Sequence, residues 1–156
     1  MSEPVREREE LSVLLADARP RLVRALLAVR GQAGAEDAAS EAIAWAWENS
    51  ERMGELTNPV GYLYRVAMTR STPRMRPELP MPTASSMPDI EPALVPALMQ
   101  LPEKQRAAVW LVHACGWTYA EVADGLDIGT STVGTHVTRA LQSLRLAIIG
   151  DTGADT

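Results

Sequence analysis

Between Pro73 and Pro92 the chain places six of its eleven prolines, interspersed with Ser, Thr and Met and showing neither a helical nor a strand period. Proline lacks a backbone donor and holds φ at about −65°, so a run this dense neither continues a helix nor enters a sheet interior. The segment reads as an extended linker over residues 73–92. It separates a front piece, residues 1–72, from a rear piece, residues 93–149, and the closing "GDTGADT", residues 150–156, reads as a disordered tail. At 156 residues the chain has room for one ordinary domain or two small ones, and the linker favours two.

The front piece carries a helical period. Leu11, Leu14, Leu15, Ala18, Leu22, Ala25, Leu26 and Val29 recur at steps of three and four, one stripe of an amphipathic helix. Pro20 lies inside the stripe and predicts a bend or a split there, and "GQAG" at Gly31 to Gly34 ends the element. A second helix is predicted in "AEDAASEAIAWAWENSERM". Glu36 and Asp37 occupy its first turn, at the positive end of the helix dipole, and Ala39, Ile43, Ala46 and Trp47 make its apolar face. Trp45, Trp47, Trp110 and Trp117 read as core-filling residues, although Trp45 lies off that stripe and marks a candidate interface. In "TNPVGYLYRVAMTR", Asn58 suits an N-cap and Pro59 the first helical position, Val60, Leu63, Tyr64 and Ala67 form the stripe, and Pro73 is the stop.

The rear piece opens with a short helix over Ala93 to Gln100, followed by "LPEKQRAAVWLVHACG", where Pro102 sits near a helix start and Gly116 suits a C-terminal cap. Thr118 and Glu121 spell a capping box, flanked by Trp117 and Val122 as a hydrophobic staple. Tyr119, Val122, Ala123 and Leu126 then face inward. The turn "DIG" places Asp127 where the backbone passes through the left-handed region, which Asp tolerates better than most residues. Beyond it Val133, Val137, Ala140, Leu141 and Leu144 form a buried stripe, leaving Ser131, Thr135, Thr138, Arg139 and Gln142 on the opposite face. This is the outline of a helix-turn-helix. With no period-2 alternation anywhere, the expected fold is all-α: two small helical domains joined by the Pro-rich linker.

Composition narrows the chemistry. A net charge of −5 argues against nucleic-acid binding by bulk electrostatics, which rests on phosphate neutralisation. The single Cys115 has no disulfide partner within the chain, and His113 and His136 lie too far apart for a zinc spacing, so neither metal nor cofactor is expected. His113 and Cys115, two apart in an apolar helix, read as packing residues. No paired carboxylates, nucleophile set or phosphate-cradling glycine loop points to an enzyme. Neither a signal peptide nor a membrane span is legible, which makes cytoplasmic the expected location.

The rear piece, "LPEKQRAAVWLVHACGWTYAEVADGLDIGTSTVGTHVTRALQSLR", resembles promoter-reading region 4 of the ECF-type sigma factors of bacterial RNA polymerase. The matching positions are Leu101, Pro102, Arg106, Gly116, Glu121 to Ala123 and Ser131 to Val133. "AEDAASEAIAWAW" is similar to the core-binding helix of that family's region 2, and "NPVGYLYRVA" to the helix that follows it. In order, these segments cover most of the chain from about Leu11 to Arg145.

The resemblance implies a protein that directs promoter-specific initiation. Residues 1–72 would bind core polymerase at the β′ clamp through Glu36, Asp37, Ser40 and Glu41, and meet the −10 element through Arg65, Arg70, Arg74 and Arg76, with Tyr62 or Tyr64 available to stack on a base. Residues 93–149 would read the −35 element through Ser131, Thr132, Thr135, His136, Thr138 and Arg139. Core polymerase and promoter DNA are the implied partners, and the family leaves room for an anti-sigma factor as another. There are departures. Met68, Thr69 and Pro73 stand where the family commonly has an Arg-Asn pair and an Asp, and Gly134 and His136 where Lys and Arg are frequent. Lys104, Arg106, Arg139 and Arg145 are matched by Glu103, Glu121, Asp124 and Asp127, so the rear piece is close to neutral. A divergent sigma-like regulator that binds polymerase or another transcription factor without initiating is the alternative.

Overall fold

The computed structural model describes residues 3–71 and 93–153; the linker, with Pro73, Arg74 and Arg76, and residues 154–156 lie outside the described residues. Within them all regular structure is helical: α1 (Glu3–Glu48), α2 (Ser50–Glu55), α3 (Pro59–Arg70), α4 (Leu94–Gln100), α5 (Glu103–Val109) running into a π-helical turn (Trp110–Ala114), α6 (Tyr119–Leu126) and α7 (Thr130–Gly153). The last helix therefore continues past residue 150, where the sequence suggested that folded structure ends.

The break in α1 falls at Gly31 (φ 72°, ψ 177°), and the helix passes through Pro20 without a non-helical residue. Pro20 and Ala16, whose carbonyl it leaves without an intrahelical donor, are both exposed. Gly31 adopts a backbone that a Cβ disfavours. The two limbs lie antiparallel: Arg19 donates from Nη2 to Ser40 Oγ at 3.1 Å, and the Arg8 guanidinium lies 5.9 Å from the centre of the Trp47 ring. Arg30, buried beside the bend, donates to Ser71 Oγ (3.1 Å), the Val29 carbonyl (3.2 Å) and the Met68 carbonyl (3.3 Å). Its charge thus sits at the negative end of α3 and ties that end to the bend.

Asn58 caps α3 as expected, its Oδ1 accepting from the Gly61 amide at 3.3 Å. The stripe of Val60, Leu63, Tyr64 and Ala67 is buried. Of the two tryptophans of α1, the one off the expected stripe is buried and the one on it is exposed. Trp45 is 8% exposed and tilts against Tyr62 at 5.4 Å, whereas Trp47 is 40% exposed under Arg8. Residues two apart on a helix cannot share a face, so seating one ring turns the other outward.

The buried residues of the two pieces form one continuous cluster. Leu22, Leu26, Leu63 and Tyr64 from the front join Leu111, Trp117, Val122 and Val133 from the rear, and a smaller cluster sets Ala28 of α1 among Leu98, Leu101, Val109, Ala140 and Leu144. Tyr64 meets Trp117 edge to face at 5.6 Å, an arrangement that satisfies the quadrupoles of both rings. Trp110 donates from Nε1 to the Arg24 carbonyl at 2.8 Å, a further link from rear to front.

Candidate nucleic-acid interface

The helix-turn-helix is built from local bonds at both ends of α6. Thr118 Oγ1 accepts from the Glu121 amide at 3.1 Å, and Glu121 Oε1 accepts from the Thr118 amide at 3.0 Å, which completes the capping box. At the other end Asp127 adopts the left-handed conformation (φ 56°, ψ 50°), and the Ile128 amide reaches back to the Ala123 carbonyl at 3.0 Å. Gly116, φ 70°, turns the chain out of the preceding helical turn. Trp117 and Val122, the staple pair, are both buried. Tyr119 departs from expectation: it is 43% exposed, with its ring beside Gly134 of α7.

These anchors leave α7 with one buried stripe, Val133, Val137, Ala140 and Leu144. On its other side Ser131, Thr132, Thr135, Thr138 and Arg139 are all exposed. His136 belongs less to this surface. It is half-buried, with Nδ1 enclosed and lacking a hydrogen-bond partner. Thr135 turns its hydroxyl back onto the Ser131 carbonyl at 3.1 Å, leaving its methyl and oxygen lone pairs to face outward.

The second group of sequence candidates lies on α3 and is less free. Tyr64 is completely enclosed and cannot stack on a base in this arrangement; burial also drives its hydroxyl well above the ordinary tyrosine range, so it stays neutral. Tyr62 is half-buried under two guanidiniums, Arg52 at 5.2 Å and Arg65 at 5.9 Å from its ring centre. Arg65 reaches across to the end of α6, donating from Nε to the Asp124 carbonyl at 3.1 Å and from Nη2 to Asp127 Oδ1 at 3.2 Å. Arg70 is exposed in the last turn of α3.

On the second limb of α1, Glu36, Asp37, Ser40 and Glu41 are exposed, and their spacing sets them along one face. Ser40 also accepts from Arg19, which fixes that face to the first limb.

The polar contacts that tie α6 to α3 and to α1 were not visible in sequence. Asn58 Nδ2 donates to Asp124 Oδ2 at 3.2 Å, and Arg21 Nη2 to Glu121 Oε2 at 3.3 Å. One signal was present in the chain: Gly61 and Gly125 interrupt otherwise good helical runs, a mark of close backbone approach. A Cβ at Gly125 would come within 3.2 Å of the Tyr64 ring and 3.5 Å of the Gly61 carbonyl.

Among the described residues, no group of three or more His, Cys, Asp or Glu is arranged to hold a metal ion, and no helix is long and apolar enough to cross a membrane. Burial pushes the Cys115 thiol up to about 11, with Arg24 and Arg21 pulling in the other direction, so it is a packing residue and not an activated nucleophile.

Comparison with known proteins agrees with this geometry. The family described as sigma-70, region 4 matches residues 93–144, which span α4 to most of α7. The ECF RNA polymerase sigma factor SigL of Mycobacterium tuberculosis, in strains Erdman, CDC 1551 and H37Rv, is 29% identical over 145 residues, covering 81% of this chain and 82% of the relative. A solved structure of the sigma factor RpoE from Bartonella quintana, in complex with the anti-sigma factor NepR, shares the fold at a TM-score of 0.61 and 18% identity, covering 92% of this chain and 96% of that one. The region 4 match on the rear piece, and an alignment with SigL too long to be confined to it, support the likeness to the ECF-type sigma factors.

Proposed function

We propose that this sigma factor directs promoter-specific initiation through two surfaces that are each weak alone. The exposed face of α7 enters the −35 major groove, where Ser131, Thr132, Thr135, Thr138 and Arg139 meet base edges and phosphates. Residues 1–72 dock on the β′ clamp of core polymerase through Glu36, Asp37, Ser40 and Glu41, and Arg65, Arg70, Arg74 and Arg76 track the single strand of the −10 element. The work is done in the cytoplasm, without chemistry by this chain, and an anti-sigma factor is a further partner class, as NepR is for RpoE in its solved complex.

The observation that carries this reading is the construction of α7: a polar outer face backed by a buried stripe, set by a capped first helix and a left-handed turn. Its charge is low, with Arg139 the one cation among those candidates. Affinity for DNA must therefore come from joint engagement, in which polymerase holds the first surface and raises the effective concentration of the second.

The test mixes the purified protein with core polymerase and a promoter library and sequences run-off transcripts. Discrete starts sharing upstream elements are expected. Polymerase binding without any specific transcript would instead favour the non-initiating regulator. Arg139→Ala is expected to weaken promoter binding and leave polymerase binding intact, and Asp37→Ala the reverse.

A further inference from the structure

We propose that His136 is a specificity-determining residue of α7, presenting one fixed N–H donor at Nε2 that selects guanine, through its N7, at a single position of the −35 element. The inference rests on the proposed function and adds to it the base that one side chain chooses. On the helix His136 falls one turn after Thr132 and one turn before Arg139, so the three form a row along one edge of the polar face. Thr132 and Arg139 are exposed, and His136 is half-buried. Its two ring nitrogens have different surroundings: Nδ1 is enclosed without a hydrogen-bond partner, and Nε2 is not enclosed.

That asymmetry decides what the ring offers. An enclosed N–H with no acceptor is costlier than an enclosed bare nitrogen, which puts the proton of the neutral ring on Nε2. The imidazolium carries a proton there as well, so Nε2 donates in either charge state. Because the Nδ1 side of the ring is packed, the direction of that donor is set before DNA arrives. The other polar side chains of the face discriminate less. The hydroxyls of Ser131, Thr132 and Thr138 can rotate to donate or to accept, and that of Thr135 is already turned onto the Ser131 carbonyl at 3.1 Å. Arg139 is exposed, and a long guanidinium side chain suits phosphate as well as base.

In the major groove a lone donor is accepted by purine N7, guanine O6 or thymine O4, and it is opposed by the amino groups of cytosine and adenine. Guanine alone sets two acceptors side by side. A donor aimed at its N7 therefore has O6 as its neighbour, where adenine would present a competing N–H.

The test binds the full chain, with core polymerase, to a duplex library randomised upstream of the start site and sequences the retained DNA. The unmodified protein is expected to enrich guanine at one −35 position. His136→Ala should reduce that preference about threefold to tenfold, the worth of one hydrogen bond, while the other positions keep theirs. Replacing the selected guanine by 7-deazaguanine, which lacks the N7 acceptor, should weaken binding of the unmodified protein by a similar factor and leave binding by the His136→Ala variant unchanged. The deazaguanine measurement on the unmodified protein stands even if the alanine variant folds poorly. Equal weakening at every position would make His136 a phosphate contact or a packing residue and overturn the proposal, as would tolerance of 7-deazaguanine by the unmodified protein. If a sequence is selected but no position depends on residue 136, this inference fails and the proposed function stands. If no sequence is selected at all, both fail.

Discussion

Helices α3 and α7 each carry sequence candidates for contact with promoter DNA, yet the fold treats them in opposite ways. Helix α7 buries one stripe and presents the rest to solvent, so Arg139 is exposed. Helix α3 is covered on several sides, by α1 and by α6, and Arg65 is directed onto Asp127. The difference is one of packing and not of local sequence, because both helices have comparable apolar stripes. A helix between two partners has little surface left for a third, and a candidate residue on it is available only when one partner leaves.

The largest effect that bears on this contrast is expected at Trp117. It is buried, it meets Tyr64 across the junction, and it belongs to the cluster shared by the two pieces. Trp117→Ala should cost about 3–5 kcal/mol of stability. Urea unfolding followed by circular dichroism should show one transition at lower denaturant, because the shared core links the pieces. If a second transition appeared at the original midpoint, α3 would owe little to α6 and the comparison would fail.

Next in size is Gly61→Ala. The new Cβ would lie 2.5 Å from Asn58 Nδ2 and 3.1 Å from the Glu121 backbone oxygen, so the cap of α3 and the approach of α6 cannot both be kept. Overpacking of this kind costs about 1–3 kcal/mol. Gly54→Ala in α2 is the control, since a Cβ there meets nothing within 4 Å and should stabilise the helix. Equal effects at the two glycines would mean that the crossing is not tight.

Much of this architecture was legible in sequence, and the reasons are local. The capping box, the left-handed Asp127, the glycine at residue 116 and the stripes of α1, α3 and α7 follow from hydrogen bonding and periodicity over a few residues. The misreadings concern competition between neighbours. Pro20 predicted a bend in α1 that is absent, because a proline on an exposed face is tolerated, while Gly31, where the first helix was read to end, takes the unusual backbone. Trp47 was placed on the buried stripe and Trp45 off it, and only the placement of Tyr62 decides between them. Tyr119 was read as facing inward and is exposed; Tyr64 lies in the buried stripe as read, and that burial rules out the base stacking also considered for it. The outer face of α7 was readable because its stripe is unambiguous. The engagement of Arg65 was not, because it depends on a helix 59 residues away in sequence.

A smaller change separates the helix-turn-helix from the junction. Thr118→Ala removes the hydroxyl half of the capping box and should cost about 0.5–2 kcal/mol. The Glu121 carboxylate keeps both the backbone amide of residue 118 and Arg21 of α1 in this variant, so the change tests whether those two contacts alone hold α6 in register. Hydrogen exchange is expected to speed at the Glu121 amide while the amides of α3 are little changed. Equal acceleration in α3 would mean that the cap and the junction form one unit.

The smallest expected effect falls on α7 and changes sign. Gly134 lies in the second turn of the helix and half out of solvent, and a Cβ there would meet Tyr119 Cε2 at 3.5 Å, an ordinary contact. Nothing in the free protein therefore requires glycine, and Gly134→Ala should stabilise by up to about 1 kcal/mol, read as a rise in melting temperature. Retention of glycine then calls for a reason outside the free chain. If DNA binding by the polymerase complex is unchanged in the variant, the glycine is only a weak point in an otherwise well-formed helix, and α7 reads DNA through its side chains alone. If affinity falls while the melting temperature rises, the backbone of α7 approaches the nucleic acid at residue 134 too closely for a methyl group. In that case the missing side chain, and not a missing charge, sets how deep α7 sits in the groove, and the contrast with α3 sharpens: glycine would serve close approach to another helix in one case and to DNA in the other.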